Sequence, residues 1–163
     1  MAQRRGTGSW LSGVPAQGAA EEYPGQRLGL PEHGPRAVAG MGRRLLALLI
    51  DWVAATMIAL GAVSLRSPGP ARAGGTLALI NQAQHWALPV FAVMVYLLTA
   101  LAGLTLGKRL LGIRVARLDG RPVGFGWALV RTLLLLAVVP ALFTDRDQRG
   151  LHDRAANTVV IRS

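Results

Sequence analysis

Two long apolar runs decide what this 163-residue chain can become. The first is Leu45–Leu65 and the second Trp86–Leu106, each 21 residues long. At about 1.5 Å of rise per residue, a helix of that length crosses the ~30 Å hydrocarbon core of a bilayer. Peptide N–H and C=O groups in hydrocarbon must bond within their own segment, so such runs take the helical form. Arg43 and Arg44 bracket one end of the first run and Arg66 the other, with Asp51 its single internal charge; the second run carries none. The expected fold class is an all-α membrane protein, a small transmembrane helical bundle with two firm spans over 45–65 and 86–106.

The third apolar run, Trp127–Thr144, has 18 residues, contains Arg131 and is interrupted by Pro140. It spans, re-enters or lies along the interface. Between the second and third runs lies a basic stretch in which Ile113 and Val115 alternate with their neighbours as a short strand does. Asp119-Gly120 then supplies a turn. Thr158-Val159-Val160-Ile161 is a second short strand candidate, and a re-entrant third segment would let the two strands pair on the same side of the membrane. Residues 1–40 are rich in Gly, Pro, Ala and Arg without apolar periodicity, which reads as a disordered tail. Trp10 and Leu11 form a small apolar island in it. The domain proper is expected over 41–162, with Gly and Pro marking the 66–85 linker as loop and Pro89 in the first turn of the second helix.

The net charge is +10, and 17 of the 18 basic residues are arginine, Lys108 being the other. Nucleic acid and membrane surface are the two common readings of such a balance. The arginines flank apolar runs, and no aromatic residues are interleaved among them for base stacking, so the partner is the bilayer and not nucleic acid. Basic residues crowd the N-terminal flank and the 107–126 loop, while the loop between the first two helices holds only Arg66 and Arg72. The positive-inside rule then places the N-terminus and the 107–126 loop in the cytoplasm, in a multi-pass protein of the plasma membrane. Lys108, Arg109, Arg114 and Arg117 are the candidates for contact with anionic lipid headgroups.

Cysteine is absent, which excludes disulfides, thiol catalysis and Cys-ligated zinc. His33, His85 and His152 are too dispersed to suggest a metal site. No nucleophile elbow or paired carboxylates appear, so neither an enzyme nor a cofactor is expected.

Asp51 is the most informative residue. A carboxylate in hydrocarbon costs about 2.5–3.5 kcal/mol on the insertion scale, so it must face protein or water. Ala47, Asp51, Ala55 and Ala59 form one i, i+4 row of small residues, the side on which another helix approaches closely. Two partners offer themselves: Arg44, two turns earlier on nearly the same face, and Arg131, which would form an intramembrane ion pair. That pair is either architectural, or part of a proton or ion relay or a polar ligand site. Gly103 and Gly107 make a weak GxxxG spacing, with Gly107 read as a helix end. His152-Asp153-Arg154 reads as a solvated charged turn, or as a segment whose Asp153 returns to pair with Arg44 or Arg109.

Three ordered motifs, taken together, resemble the RDD family of bacterial membrane proteins. Arg44-x-x-Ala47-x-x-Ile50-Asp51 opens the first helix, and Thr105-Leu106-Gly107-Lys108-Arg109-Leu110-Leu111-Gly112-Ile113-Arg114-Val115 follows the second. Gly150-Leu151-His152-Asp153-Arg154 precedes Thr158-Val159-Val160. The resemblance makes Arg44 the family's arginine, with Asp51 and Asp153 its two aspartates. Ala156-Asn157 departs from the Ala-Gly common at that point, and the third run is short for the family. What the resemblance implies about activity is thin: transport of an unknown ligand, with cation/proton antiport claimed for some members. Two or three spans cannot wall a pathway alone, so transport of an ion or small ligand would require a homo-oligomer or a membrane partner. The alternative is a non-transporting scaffold or assembly factor that binds anionic lipids and a partner protein.

Overall fold

The computed structural model describes residues 23–66, 75–137 and 147–163. Helix α1 runs Met41–Arg66 and α2 runs Gly75–Ala102. A short helix α3, Leu106–Leu110, leads into strand β1, Ile113–Arg117. Helix α4, Gly124–Leu136, follows, then a one-turn helix α5, Leu151–Ala155, and strand β2, Thr158–Arg162.

The two long helices pack against each other through their small-residue rows. On α1 the buried side chains are Ala47, Asp51, Ala55, Ala59 and Val63, the row expected from the sequence extended by one turn. On α2 the facing row is Ala83, Ala87, Phe91, Val95 and Thr99. Large apolar side chains such as Leu49, Val53, Met57 and Val93 point away from both rows and are more than half exposed. Only 28% of each apolar window is buried against protein, far too little for the core helices of a water-soluble domain. A continuous apolar surface of that extent needs another apolar medium to cover it. Both helices are long and apolar enough to cross a membrane.

Several boundaries differ from the sequence expectation, each for a local reason. Helix α2 begins at Gly75, so residues 75–85 are helical where a loop was expected and Pro89 lies in the helix interior. The helix ends at Ala102 and does not continue to Leu106. Gly103 adopts φ +64°, and its carbonyl turns outward to accept the Val115 N–H at 2.8 Å. A Cβ on Gly103 would stand 2.8 Å from the Val115 carbonyl oxygen, so both conformation and space demand glycine. Thr105 then caps α3. Helix α4 starts three residues before the expected Trp127 and is described to Leu136. The remainder of the third run, including Pro140, lies outside the described residues, as do 67–74 of the linker and residues 1–22 with Trp10 and Leu11.

Strands β1 and β2 pair antiparallel, Ile113 opposite Arg162 and Arg117 opposite Thr158. The C-terminal strand therefore lies at the same end of the helices as β1. Residues 36–39, expected as part of a disordered tail over 1–40, instead run along the free edge of β2. Ala39 N–H donates to Val160 O at 2.9 Å, and Arg162 N–H donates to Ala37 O at 2.9 Å. Further upstream, Leu28 and Leu30 pack with Val38 over Val159 and Ile161. On the other face Val160 joins Ile113, Val115, Ala47, Ala100 and Ala128 in the central core. Strand β2 is thus buried on both faces, which explains its unbroken Val-Val-Ile run.

Candidate functional site

The charged residues singled out in the sequence converge where α1 and α4 meet this β collar. Asp153, on α5, is fully buried and bridges two arginines. Its Oδ2 accepts from Arg44 Nη1 at 3.3 Å, and its Oδ1 accepts from Arg131 Nη1. Arg131 also donates to the Thr158 hydroxyl at 2.9 Å, which in turn donates to the Asp153 carbonyl at 3.3 Å. One carboxylate between two guanidinium groups is strongly favoured in its charged form.

Arg44 is the hub of the cluster. Its Nε donates to Ala39 O at 2.9 Å, Nη2 to Val160 O at 3.3 Å, and Nη1 to the carbonyl of Gln148. The planar fork of donors that distinguishes arginine from lysine lets one side chain hold four segments together: 36–40, 147–150, α5 and β2.

Asp51 does something else. It is buried, and neither arginine bonds to it. Its Oδ1 accepts the Gly107 N–H at 2.7 Å and its Oδ2 accepts from the Thr105 hydroxyl. The carboxylate therefore satisfies one free N–H in the first turn of α3, that of Gly107, where a helix N-terminus favours negative charge. The approach is close. A Cβ on Gly107 would lie 2.1 Å from the Ala47 carbonyl oxygen, so this glycine lets α3 press onto α1 and is not a helix end.

Three sequence expectations are corrected here. The Asp51–Arg131 pair does not form, because Arg131 turns toward Asp153. Asp51 does not pair with Arg44 either, because it takes its donors from the α2–α3 turn. His152-Asp153-Arg154 is not a solvated turn: His152 and Asp153 are buried in α5. The alternative Arg44–Asp153 pair is the one present. Sequence reasoning missed Thr105 and Thr158 as ligands of the two carboxylates. A threonine beside each charged motif was the available signal.

The four candidates for lipid headgroup contact sit differently from one another. Arg109 and Arg114 are exposed. Arg117 is engaged by Asp119, donating from Nε at 2.9 Å, and its guanidinium lies 5.8 Å from the Trp127 ring centroid. The hydrogen bond from Arg117 holds the Asp119 carboxyl below its ordinary range. Lys108 points into the charged cluster, where burial first and then the charge of Arg131 push its ammonium pKa down to about 7; Asp51 pulls the other way, and Arg44 adds the smallest downward push. Among the described residues no three His, Asp or Glu side chains converge to hold a metal ion.

A pair of membrane-length helices, clamped at one end to a small β collar by an Arg–Asp–Arg cluster, defines a small helical membrane protein. The family model described as RDD family matches residues 38–157, most of the chain, and the protein belongs to the RDD family. No curated protein and no solved structure matches it.

Proposed function

We propose that this RDD protein acts in the plasma membrane as a non-transporting scaffold, with its N-terminus and collar on the cytoplasmic side. One observation carries the reading: both family aspartates are consumed by architecture. Asp153 is shared by two arginines and Asp51 caps α3, so neither is placed to take up and release a cation during a transport cycle. What the arrangement achieves is a rigid basic platform at the membrane surface, with Arg109 and Arg114 facing outward for anionic lipid and the sheet offering a surface to a partner protein. The basic flanks of α1 and the 107–126 stretch support the cytoplasmic placement.

Transport as a homo-oligomer or with a membrane partner is the second reading. It is favoured by one feature, the cavity that Asp51, Arg44, Lys108 and Arg131 share. Reconstitution into liposomes separates the two. The expected result is no proton-coupled sodium or potassium flux from wild type or Asp51→Asn, with both eluting as folded, monodisperse protein in detergent. Flux in wild type that the Asp51→Asn protein lacks establishes transport and overturns the scaffold.

A further inference from the structure

Beside the arginine–aspartate cluster lies a cavity of about 80 Å³. A single water needs roughly 10–15 Å³ of such space, so the cavity has room for a polar group of several heavy atoms. Its polar floor is Arg44, Lys108 and Arg131 against Asp51 and Asp153, with His152 at one side. Three cations face two carboxylates there, a surplus of one positive charge. Leu45, Leu48, Val95 and Leu135 form apolar walls, and Leu45 at the rim is 53% exposed.

The two carboxylates are already occupied, Asp153 by both arginines and Asp51 by Thr105 and Gly107. Lys108 is left over: its backbone N–H bonds to Thr105, but its ammonium has no hydrogen-bond or ion-pair partner among the described residues. A partly buried cation with no direct ion pair, offset only by the field of Asp51, is costly, and the cost is met either by losing the proton or by taking in an anion. The lowered pKa of Lys108, with burial as its first cause, is the mark of that cost.

We propose that the cavity binds a phosphate-type oxyanion, with Lys108 as its ligand and Arg44 and Arg131 supplying the surrounding positive field. The apolar rim suits the phosphodiester of an anionic phospholipid, and a free phosphate offers the same oxygens. Lys108 here has a specific ligand site and is not one more residue of a diffuse basic surface. The proposal rests on the lipid-binding side of the scaffold reading, yet it stands or falls on Lys108 alone and not on whether the protein transports.

The test uses the full chain in phosphatidylcholine nanodiscs, titrated separately with short-chain phosphatidylglycerol and with inorganic phosphate. Saturable binding at one site is expected, weakened tenfold or more in Lys108→Met and unchanged in Arg66→Met, whose side chain is exposed at the other end of α1. Saturation by phosphatidylglycerol alone identifies a lipid headgroup; saturation by phosphate as well identifies a soluble oxyanion, and either supports the site. The pH profile of wild type gives a readout that needs no variant. The cavity is faced by Arg44 and Asp51 from α1, Arg131 from α4, and His152 and Asp153 from α5, with only apolar Val95 from α2. Above pH about 7 the free ammonium is lost, so affinity falls by up to about tenfold per pH unit. Lys108→Arg removes that fall while keeping the binding, which isolates Lys108 from His152. Equal losses in Lys108→Met and Arg66→Met, or no saturable binding of either anion by wild type, overturn the proposal.

Discussion

Asp153 offers the sharpest test of how the collar is held. Replacing it with asparagine keeps the shape and removes the charge, which leaves two buried arginines without a counter-ion. Removing one partner of a buried ion pair costs about 3–5 kcal/mol. A folded unit of this size shifts its melting midpoint by roughly 2–8 °C per kcal/mol, so Asp153→Asn is expected to lower the midpoint by at least ~6 °C. Arg131→Met is milder, because Asp153 keeps Arg44 and the methionine fills much of the same space. The double variant is the informative one. With both residues neutral, Arg44 still has the carbonyls of Ala39, Gln148 and Val160, so the Asp153→Asn, Arg131→Met protein should be no less stable than Asp153→Asn alone. Far-UV circular dichroism on heating in mild detergent measures all four proteins. A double variant that falls by the sum of the two single losses shows that the residues act independently and refutes the shared cluster.

Other consequences are as direct. Gly107→Ala forces α3 off α1 and breaks the bond to Asp51, at a cost of at least ~2 kcal/mol in the same melts; an unchanged midpoint contradicts the close contact. Asn157 holds φ +49° just past the end of α5, so Asn157→Gly should be neutral or slightly stabilising, while Asn157→Val loses about 1–2 kcal/mol. The lowered pKa of Lys108 means that the unfolded chain binds more protons than the folded one from pH about 7 up to the ordinary lysine value of 10.5. Stability therefore rises with pH across that window. Lys108→Met should flatten the rise in melting midpoint, and a slope that survives in the variant places its origin elsewhere.

Much of this architecture is legible in the sequence because hydrocarbon is an unforgiving solvent. The spans, the small-residue row through Asp51 and the pairing of the strands at Ile113 and Val160 follow from apolar length, periodicity and the buried carboxylate. What escapes is the choice among partners. Arg44, Arg131 and two aspartates permit several pairings of similar energy, and the outcome is set by the outward turn at Gly103, which delivers Thr105 and Gly107 to Asp51. The packing of 36–39 on β2 is equally hard to foresee, since three small apolar residues in a Gly- and Pro-rich stretch carry no periodic signal. Asn157 is the opposite case. The resemblance leads one to expect glycine there, and the left-handed backbone explains why asparagine can replace it.

The strand at the centre of the collar is translated after both long helices. Asp153 follows Arg44 by 109 residues in the chain, so α1, α2 and α4 all leave the ribosome before the acid that neutralises Arg44 and Arg131 exists. Until α5 and β2 emerge, the guanidinium groups of Arg44 and Arg131 stand bare at the membrane, where headgroup phosphates are the anions within reach. Release of those lipids and closure of the collar then become a single late event in biogenesis, and nascent chains arrested before Gly150 should remain open to protease at residues 36–39.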